Sequence, residues 1–478
     1  MPQSTLTHDE EQIVEWLEER QGRFIQMADE IWDNPELALA EFKACALQSD
    51  DLAAEGFAIT KNVGDLPTAF MAEYTHGEGG PIIGFLGEYD ALPSLSQERD
   101  PDQRPIVADG PGHGCGHNLL GTAALAAANV VKAWLQATDT PGTVRYYGCP
   151  AEETCEGKVF MARAGAFDDL DIAITWHPSS LTTVSAASSL AVNNIKFRFK
   201  GRTAHAAANP ESGRSALDAV ELMNIGVNYL REHVIEKARM HYVITNGGGA
   251  PNVVPDEAEV WYFLRAPERH QVEEITARVR KVAEGAALMT ETTMQENFIA
   301  GAYNVLPNMA MVRVMEGVMA SLGDMAFDEG EVAFAKTVAS QYPEELRKKS
   351  LEHQKLPLDA VDAGLWPTYR PAQNEGEVMS GSTDVADVSW IAPTGQIGTT
   401  CWALGVPGHS WANTATGGVS IGHKGMIHAA KGMAITAAKY ILDPALIKEA
   451  REEFEEATKD RPYKSPIPAD VRPRKVEA

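Results

Sequence analysis

The apolar residues of this chain repeat with two different periods, and the change falls near Leu190. Before it, residues 69–74, 82–86, 144–147 and 170–175 are short, mostly apolar runs flanked by glycine or polar residues. Such runs suit strands buried on both faces. They are interleaved with helical spacing over residues 9–32, 37–54, 119–135 and 158–164, with Asn34-Pro35 closing the first helix. From residue 191 the pattern differs. The second half of the segment 191–200 alternates apolar and polar residues, as in a strand with one wet face. A helix over 215–230, a strand over 258–264 and a helix over 271–287 follow. After Val305 the chain turns to long helices, then a loop-rich stretch over 405–422 and a closing helix over 426–440. The tail after Glu456 is charged and proline-rich, and is expected to add little core.

These periods predict an α/β fold. Residues 1–190 and 301–478 form one discontinuous domain with helices on both faces of a mostly parallel sheet, and residues 191–300 form a smaller inserted α+β domain. At 478 residues the chain exceeds one ordinary core, so two domains are the default. It carries 41 Lys and Arg against 67 Asp and Glu, a formal net charge of -26. That balance argues against nucleic acid and anionic membrane as partners. Met1-Pro2-Gln3-Ser4 leads into acidic residues without a basic and apolar leader, and no run reaches membrane-spanning length. The five cysteines include no C-x-x-C pair. A cytoplasmic protein is the simplest expectation.

The densest chemical signal is His113-Gly114-Cys115-Gly116-His117-Asn118, just before a helix. Thiolate and imidazole are both ligands for a divalent metal, and the flanking glycines allow a tight turn around it. Alone, the segment also reads as a glycine turn with a structural cysteine. Cys149-Pro150-Ala151-Glu152-Glu153-Thr154 follows an expected strand. Adjacent carboxylates point in different directions, so one can hold a metal while the other reaches a nearby water. Trp176-His177-Pro178 and Gly405-Val406-Pro407-Gly408-His409-Ser410 place histidines at further strand exits, the latter after an expected strand at 400–404. Each histidine alone is more often structural. Together Cys115, His117, Glu153, His177 and His409 are five candidate ligands, one more than a structural zinc needs, which points to a two-metal site. His205 follows a Gly-Arg-Thr turn and could donate to an oxyanion. Arg265 could clamp a substrate carboxylate. A G-x-S-x-G elbow and a strand-to-helix G-x-G-x-x-G are both missing, which disfavours serine hydrolase and dinucleotide-binding readings.

In order along the chain, Glu88-Tyr89-Asp90-Ala91-Leu92-Pro93, the Gly-Cys-Gly-His and Pro-Ala-Glu-Glu segments, Gly201-Arg202-Thr203-Ala204-His205, Asn252-Val253-Val254-Pro255, Gly381-Ser382-Thr383-Asp384 and Pro407-Gly408-His409-Ser410 form a specific set. With it the chain resembles the dinuclear metallopeptidase family that includes aminoacylases, glutamate-releasing carboxypeptidases and auxin-conjugate amidohydrolases. The resemblance runs from the N-terminal helix through Tyr440. It implies two divalent ions per subunit, Mn²⁺ or Zn²⁺, with Cys115 as bridge, His117 and His177 on one ion, and Glu153 and His409 on the other. Glu152 would be the general base and Asp90 would support the ligands. His205 would reach the active site of a partner subunit to steady the oxyanion, and Asn252 and Arg265 would lie near the substrate carboxylate. The insert would be a dimerisation or lid domain, pairing with a second copy or with a homologous chain. The substrate implied is a small N-acyl amino acid, p-aminobenzoyl-glutamate before an indole-acetyl conjugate. A non-catalytic subunit of a two-chain hydrolase is the alternative. Much of the wider family has a ligand histidine where this chain has Glu88, which leaves Glu88 without a role, and His423 competes with His409.

Overall fold

The structure, a computed structural model, describes residues 6–476; the opening residues Met1–Ser4 lie outside them. Helix α1 (His8–Asp33) starts in a capping box in which Thr7 and Glu10 exchange side chain–backbone hydrogen bonds. Its stripe of Ile13, Leu17, Phe24, Met27 and Ile31 is buried. Helix α2 (Phe42–Ala54) begins later than residue 37. The preceding stretch is committed elsewhere: Leu37 bridges to Ala91, Leu39 has φ 69°, and the Glu36 carboxylate accepts the Lys43 and Ala44 backbone N–H groups.

Eleven strands among the described residues are β1 (Ala58–Lys61), β2 (Phe70–His76), β3 (Ile82–Glu88), β4 (Gly142–Cys149), β5 (Ile172–Ser179), β6 (Thr183–Val184), β7 (Ala191–Lys200), β8 (Arg239–Asn246), β9 (Glu257–Ala266), β10 (Thr293–Ala302) and β11 (Thr394–Thr400). Seven form one sheet in the order β1-β2-β4-β3-β5-β11-β6. Its centre is parallel, β4 with β3, β3 with β5 and β5 with β11, whereas β1, β2 and β6 pair antiparallel. The sheet is therefore mixed rather than mostly parallel, because short strands without crossover helices complete both edges. Helix α3 (His117–Thr138) is buried on every side from His117 to Val131 and shares a core with α1 and the helix Ser420–Leu442.

The other four strands form a separate sheet in the order β10-β7-β9-β8. β9 alternates half-buried and buried residues along its length, the mark of a sheet with one wet face. A core of its own joins the dry face to Ala216–Leu230 and Arg269–Thr290. The sequence pattern does not single out β10, because its first half, Thr293–Asn297, has Met294 as its one apolar residue and its place comes from pairing with β7. The edge strand β8 exposes Tyr242, Val243 and Ile244.

The charged tail does more than expected. Ile467 is 3% exposed. Tyr463 donates to Asp387 at 2.8 Å, and Arg163 donates to the carbonyls of Pro468 and Val471. A proline-rich segment without periodic pattern still contributes where single side chains find buried partners.

Candidate metal centre

The carboxyl ends of the parallel strands deliver the chemistry, as in other α/β sheets. β3 ends on Glu88 and β4 runs into Pro150–Glu153. β5 carries His177 within its last residues rather than beyond its end, since it runs on to Ser179. The strand preceding His409 is β11, earlier than the expected 400–404, so a longer loop carries the histidine. Local backbone demands shape two turns. Gly116, with φ 75°, caps α3, and a Cβ there would sit 2.9 Å from the Pro178 ring. A Cβ on Gly157 would lie 1.8 Å from the Pro150 carbonyl oxygen, so only glycine lets that chain close on the Glu152–Glu153 turn.

The five candidate ligands come together. Cys115, His117 and His177 offer ligand atoms within 4.8 Å of one another, as do Cys115, Glu153 and His409, so Cys115 is common to both groups. Cys115 Sγ lies 3.3 Å from His177 Nε2, and His409 Nε2 lies 3.6 Å from Glu153 Oε2. A third group adds Glu88 and Glu152 to His117, with Glu88 Oε2 3.3 Å and Glu152 Oε2 3.9 Å from His117 Nε2. His423 is elsewhere, 3.1 Å from Asp29 on α1.

The surroundings orient these groups toward a cation. His117 Nδ1 donates to Asp90 Oδ1 at 2.9 Å and His177 Nδ1 donates to the Pro178 carbonyl at 2.7 Å, which leaves both Nε2 atoms facing the cluster. His117 Nε2, Glu88 Oε2 and Glu153 Oε1 are buried without a hydrogen-bond partner. Orphaned buried acceptors are costly unless something pairs with them. Sulfur, imidazole and carboxylate donors facing one another fit divalent metal, and sulfur with nitrogen suits Zn²⁺. Burial, then the Glu88 and Asp384 carboxylates, pushes Glu152 well above the usual carboxylate range. Burial likewise raises Glu153 to about 7 and pushes the Cys115 thiol up. A cation among them works in the opposite sense.

Glu88, left without a role by its sequence, belongs to this group, and Lys158 and Asp384 stand behind it. Lys158 Nζ lies 2.6 Å from both Glu88 Oε1 and Asp384 Oδ1, and the Lys158 backbone N–H donates to Asp384 Oδ2. All three are buried. The signal for Asp384 was its Gly-Ser-Thr-Asp segment; a lysine in an apolar helix was the available signal for Lys158. The cavity over the cluster measures about 660 Å³, and Arg265 lines it together with Glu152, Glu153, Ser382 and His409. His205 and Asn252 are exposed neighbours in the smaller unit, joined through the His205–Val253 bridge and the Ala206-to-Asn252 backbone bond. Neither is among the residues lining this cavity.

Residues 191–290 match the M20 dimer family model, the peptidase dimerisation domain. Over 472 residues the chain is 45% identical to one of the subunits of p-aminobenzoyl-glutamate hydrolase from Escherichia coli (strain K12), covering 96% of this chain and 98% of that one. The chain belongs to the M20 family of metallopeptidases and amidohydrolases. This M20 chain is also 31% identical to the Xaa-Arg dipeptidase of Mus musculus, over 92% of its own length and 91% of the relative's. Its fold matches the crystal structure of an aminobenzoyl-glutamate utilization protein from Klebsiella pneumoniae, with a TM-score of 0.61 at 18% identity, covering 89% of this chain and 97% of that one. As an M20 member it is a metal-dependent amidohydrolase with a dimerisation domain, and its clustered Cys, His and Glu side chains suit the dinuclear site of the family. No helix among the described residues is long and apolar enough to cross a membrane.

Proposed function

We propose that this chain hydrolyses the amide bond of N-acyl amino acids, p-aminobenzoyl-glutamate foremost, releasing p-aminobenzoate and glutamate. The observation that carries this reading is one cavity holding a poised carboxylate, Glu152, beside the five-ligand cluster, with the Arg265 guanidinium in the same wall. Arg265 has no ion-pair partner among the described residues and is the group that binds the substrate carboxylate. The similarity to the Escherichia coli hydrolase chain supports the p-aminobenzoyl-glutamate assignment.

In this reading Cys115, common to both groups, would help hold two divalent ions, Mn²⁺ or Zn²⁺. His117 and His177 complete one set, and Glu153 and His409 the other. Bound there, the ions supply Lewis-acid polarisation of the scissile carbonyl and acidify water. Glu152 takes the proton of the attacking water and hands it to the leaving nitrogen, and its raised affinity for protons suits that shuttle. Asp90 holds His117 in the tautomer that presents Nε2. His205 Nδ1 accepts the Ala207 and Ala208 backbone N–H groups, so Nε2 carries the hydrogen and is a preset donor for an oxyanion. Lying outside its own cavity, His205 serves the partner subunit's site, with Asn252 beside the substrate carboxylate there. The division into residues 1–190 with 301–478 and an inserted unit of 191–300 places this pairing on the smaller sheet. Five free cysteines support a cytoplasmic home.

The test is hydrolysis of p-aminobenzoyl-glutamate by the purified chain alone, loaded with Mn²⁺ or Zn²⁺, read as p-aminobenzoate release. Turnover is expected. A chain that binds two metals yet shows no turnover without a homologous subunit is a non-catalytic partner instead, and turnover only of indole-acetyl conjugates moves the substrate.

A further inference from the structure

Behind His177 the metal cavity meets a second one of about 440 Å³. The two share His177, Met379, Gln396 and Trp402 in their walls, so they adjoin at the metal cluster. The far wall comes from the segment 353–377, which none of the sequence motifs covers. Four ionisable groups line it: His353, Lys355, Arg370 and Glu377. Lys355 Nζ pairs with Glu377 Oε1 at 2.7 Å, and their charges cancel.

Arg370 is different. Its guanidinium donates to the Gln354 carbonyl at 3.0 Å, the Lys355 carbonyl at 3.1 Å and Gln373 Oε1 at 3.1 Å. Its backbone N–H is held by the Thr182 carbonyl. All of these acceptors are neutral, and no ion pair joins Arg370 to a carboxylate among the described residues. The fork is thus fixed in place with its charge uncompensated and two of its five N–H groups to spare. In a chain of net charge -26, with most arginines ion-paired, a pinned and unneutralised guanidinium in a cavity wall is a ready carboxylate receptor.

We propose that the cavity behind His177 is a substrate subsite for a second carboxylate, with Arg370 as its ion-pair partner. The inference rests on the reading above, in which Arg265 holds one carboxylate. A substrate amide lying over the metal cluster presents one carboxylate to Arg265 and a second to Arg370 in the adjoining cavity. The substrate class is then a dicarboxylic N-acyl amino acid. The second carboxylate belongs either to the side chain of the released amino acid or to the far end of the acyl group.

Sulfonamide analogues, which resist hydrolysis, separate these sources by calorimetric binding to the metal-loaded, full-length protein. N-tosyl-glutamate against N-tosyl-glutamine tests the amino-acid side. N-(4-carboxybenzenesulfonyl)-alanine against N-tosyl-alanine tests the acyl side. One carboxylated member is expected to bind on the order of tenfold tighter than its neutral counterpart, the difference a charge-assisted hydrogen bond makes. The gap should vanish in Arg370→Gln and largely persist in Arg370→Lys, which keeps the charge. No gap in either pair, or a gap undiminished in Arg370→Gln, overturns the subsite. Should Arg370→Gln fail to fold, Arg370→Met removes the charge instead, and a gap undiminished there overturns the subsite equally. Because binding is read without turnover, a chain inactive on p-aminobenzoyl-glutamate would overturn the proposed function and leave this result standing.

Discussion

Asp90 ties two ligand segments together: its Oδ1 accepts from His117 Nδ1 at 2.9 Å while its Oδ2 accepts the Glu153 backbone N–H at 3.0 Å. One buried carboxylate so sets the tautomer of one candidate ligand and the backbone position of another that is 36 residues away in sequence. Asp90→Asn should lower metal affinity about 10- to 100-fold, the usual effect of losing such a partner. Competition with a chelator measures it, and unchanged affinity would show that Asp90 has no bearing on the metal.

Glu152 and Glu153 are adjacent but face different tasks. Glu152→Gln should keep both metals and lose about 10²–10⁴ in kcat, the range of general acid–base catalysis. Glu153→Gln should lose metal first and activity with it. Turnover and metal content, measured on both variants after the same reconstitution, separate the roles; metal loss from Glu152→Gln would reverse them.

Cys115 is shared by two ligand groups. Elemental analysis of the native chain should find about two metals per chain, as a two-metal site requires. Cys115→Ser should reduce that content and the affinity of what remains. A single ion, retained equally well by Cys115→Ser, contradicts a bridging sulfur.

Lys158 is shared between Glu88 and Asp384 in a site closed to solvent. Lys158→Met leaves two buried carboxylates facing each other. The metal-free protein should lose about 3–5 kcal/mol, the cost of breaking a buried ion pair from one side. Urea unfolding that shifts by less than about 1 kcal/mol would show that the two acids are held neutral without the lysine.

His428, on the helix Ser420–Leu442, buries Nε2 without a hydrogen-bond partner, and burial followed by the nearby Lys431 pushes it down to about 4. The unfolded chain therefore takes up this proton first as pH falls. The contribution of a neutral His428 is complete above about 6.5 and is lost as pH falls toward about 4. His428→Gln, which cannot titrate, should remove about 1–3 kcal/mol of the stability difference between pH 7.5 and 4.5. Equal acid sensitivity in both proteins, followed by denaturant midpoints, would exclude His428 as its source.

The two periods of apolar residues were enough to anticipate an α/β unit interrupted near Leu190, because strands buried on both faces and strands with one wet face demand different side chains. The same local logic marked Cys115, His117, Glu152, Glu153, His177 and His409, since each lies in a glycine- or proline-marked turn beside an apolar strand or helix. Lys158 carries no such mark, and nothing local joined Glu88 or Asp384 to it. Their joint burial brings together positions up to 296 residues apart, and only pairing in three dimensions makes a lysine tolerable there. β10 and the tail around Ile467 were equally illegible, because their partners and not their own patterns give them their places. Arg370 shows the division most clearly. An arginine in a loop reads as a solvated charge. That it faces three neutral oxygens, no carboxylate and the back of the metal cavity is a property of the surroundings the fold builds around it, since charge compensation depends on distance in space and not on position in the chain.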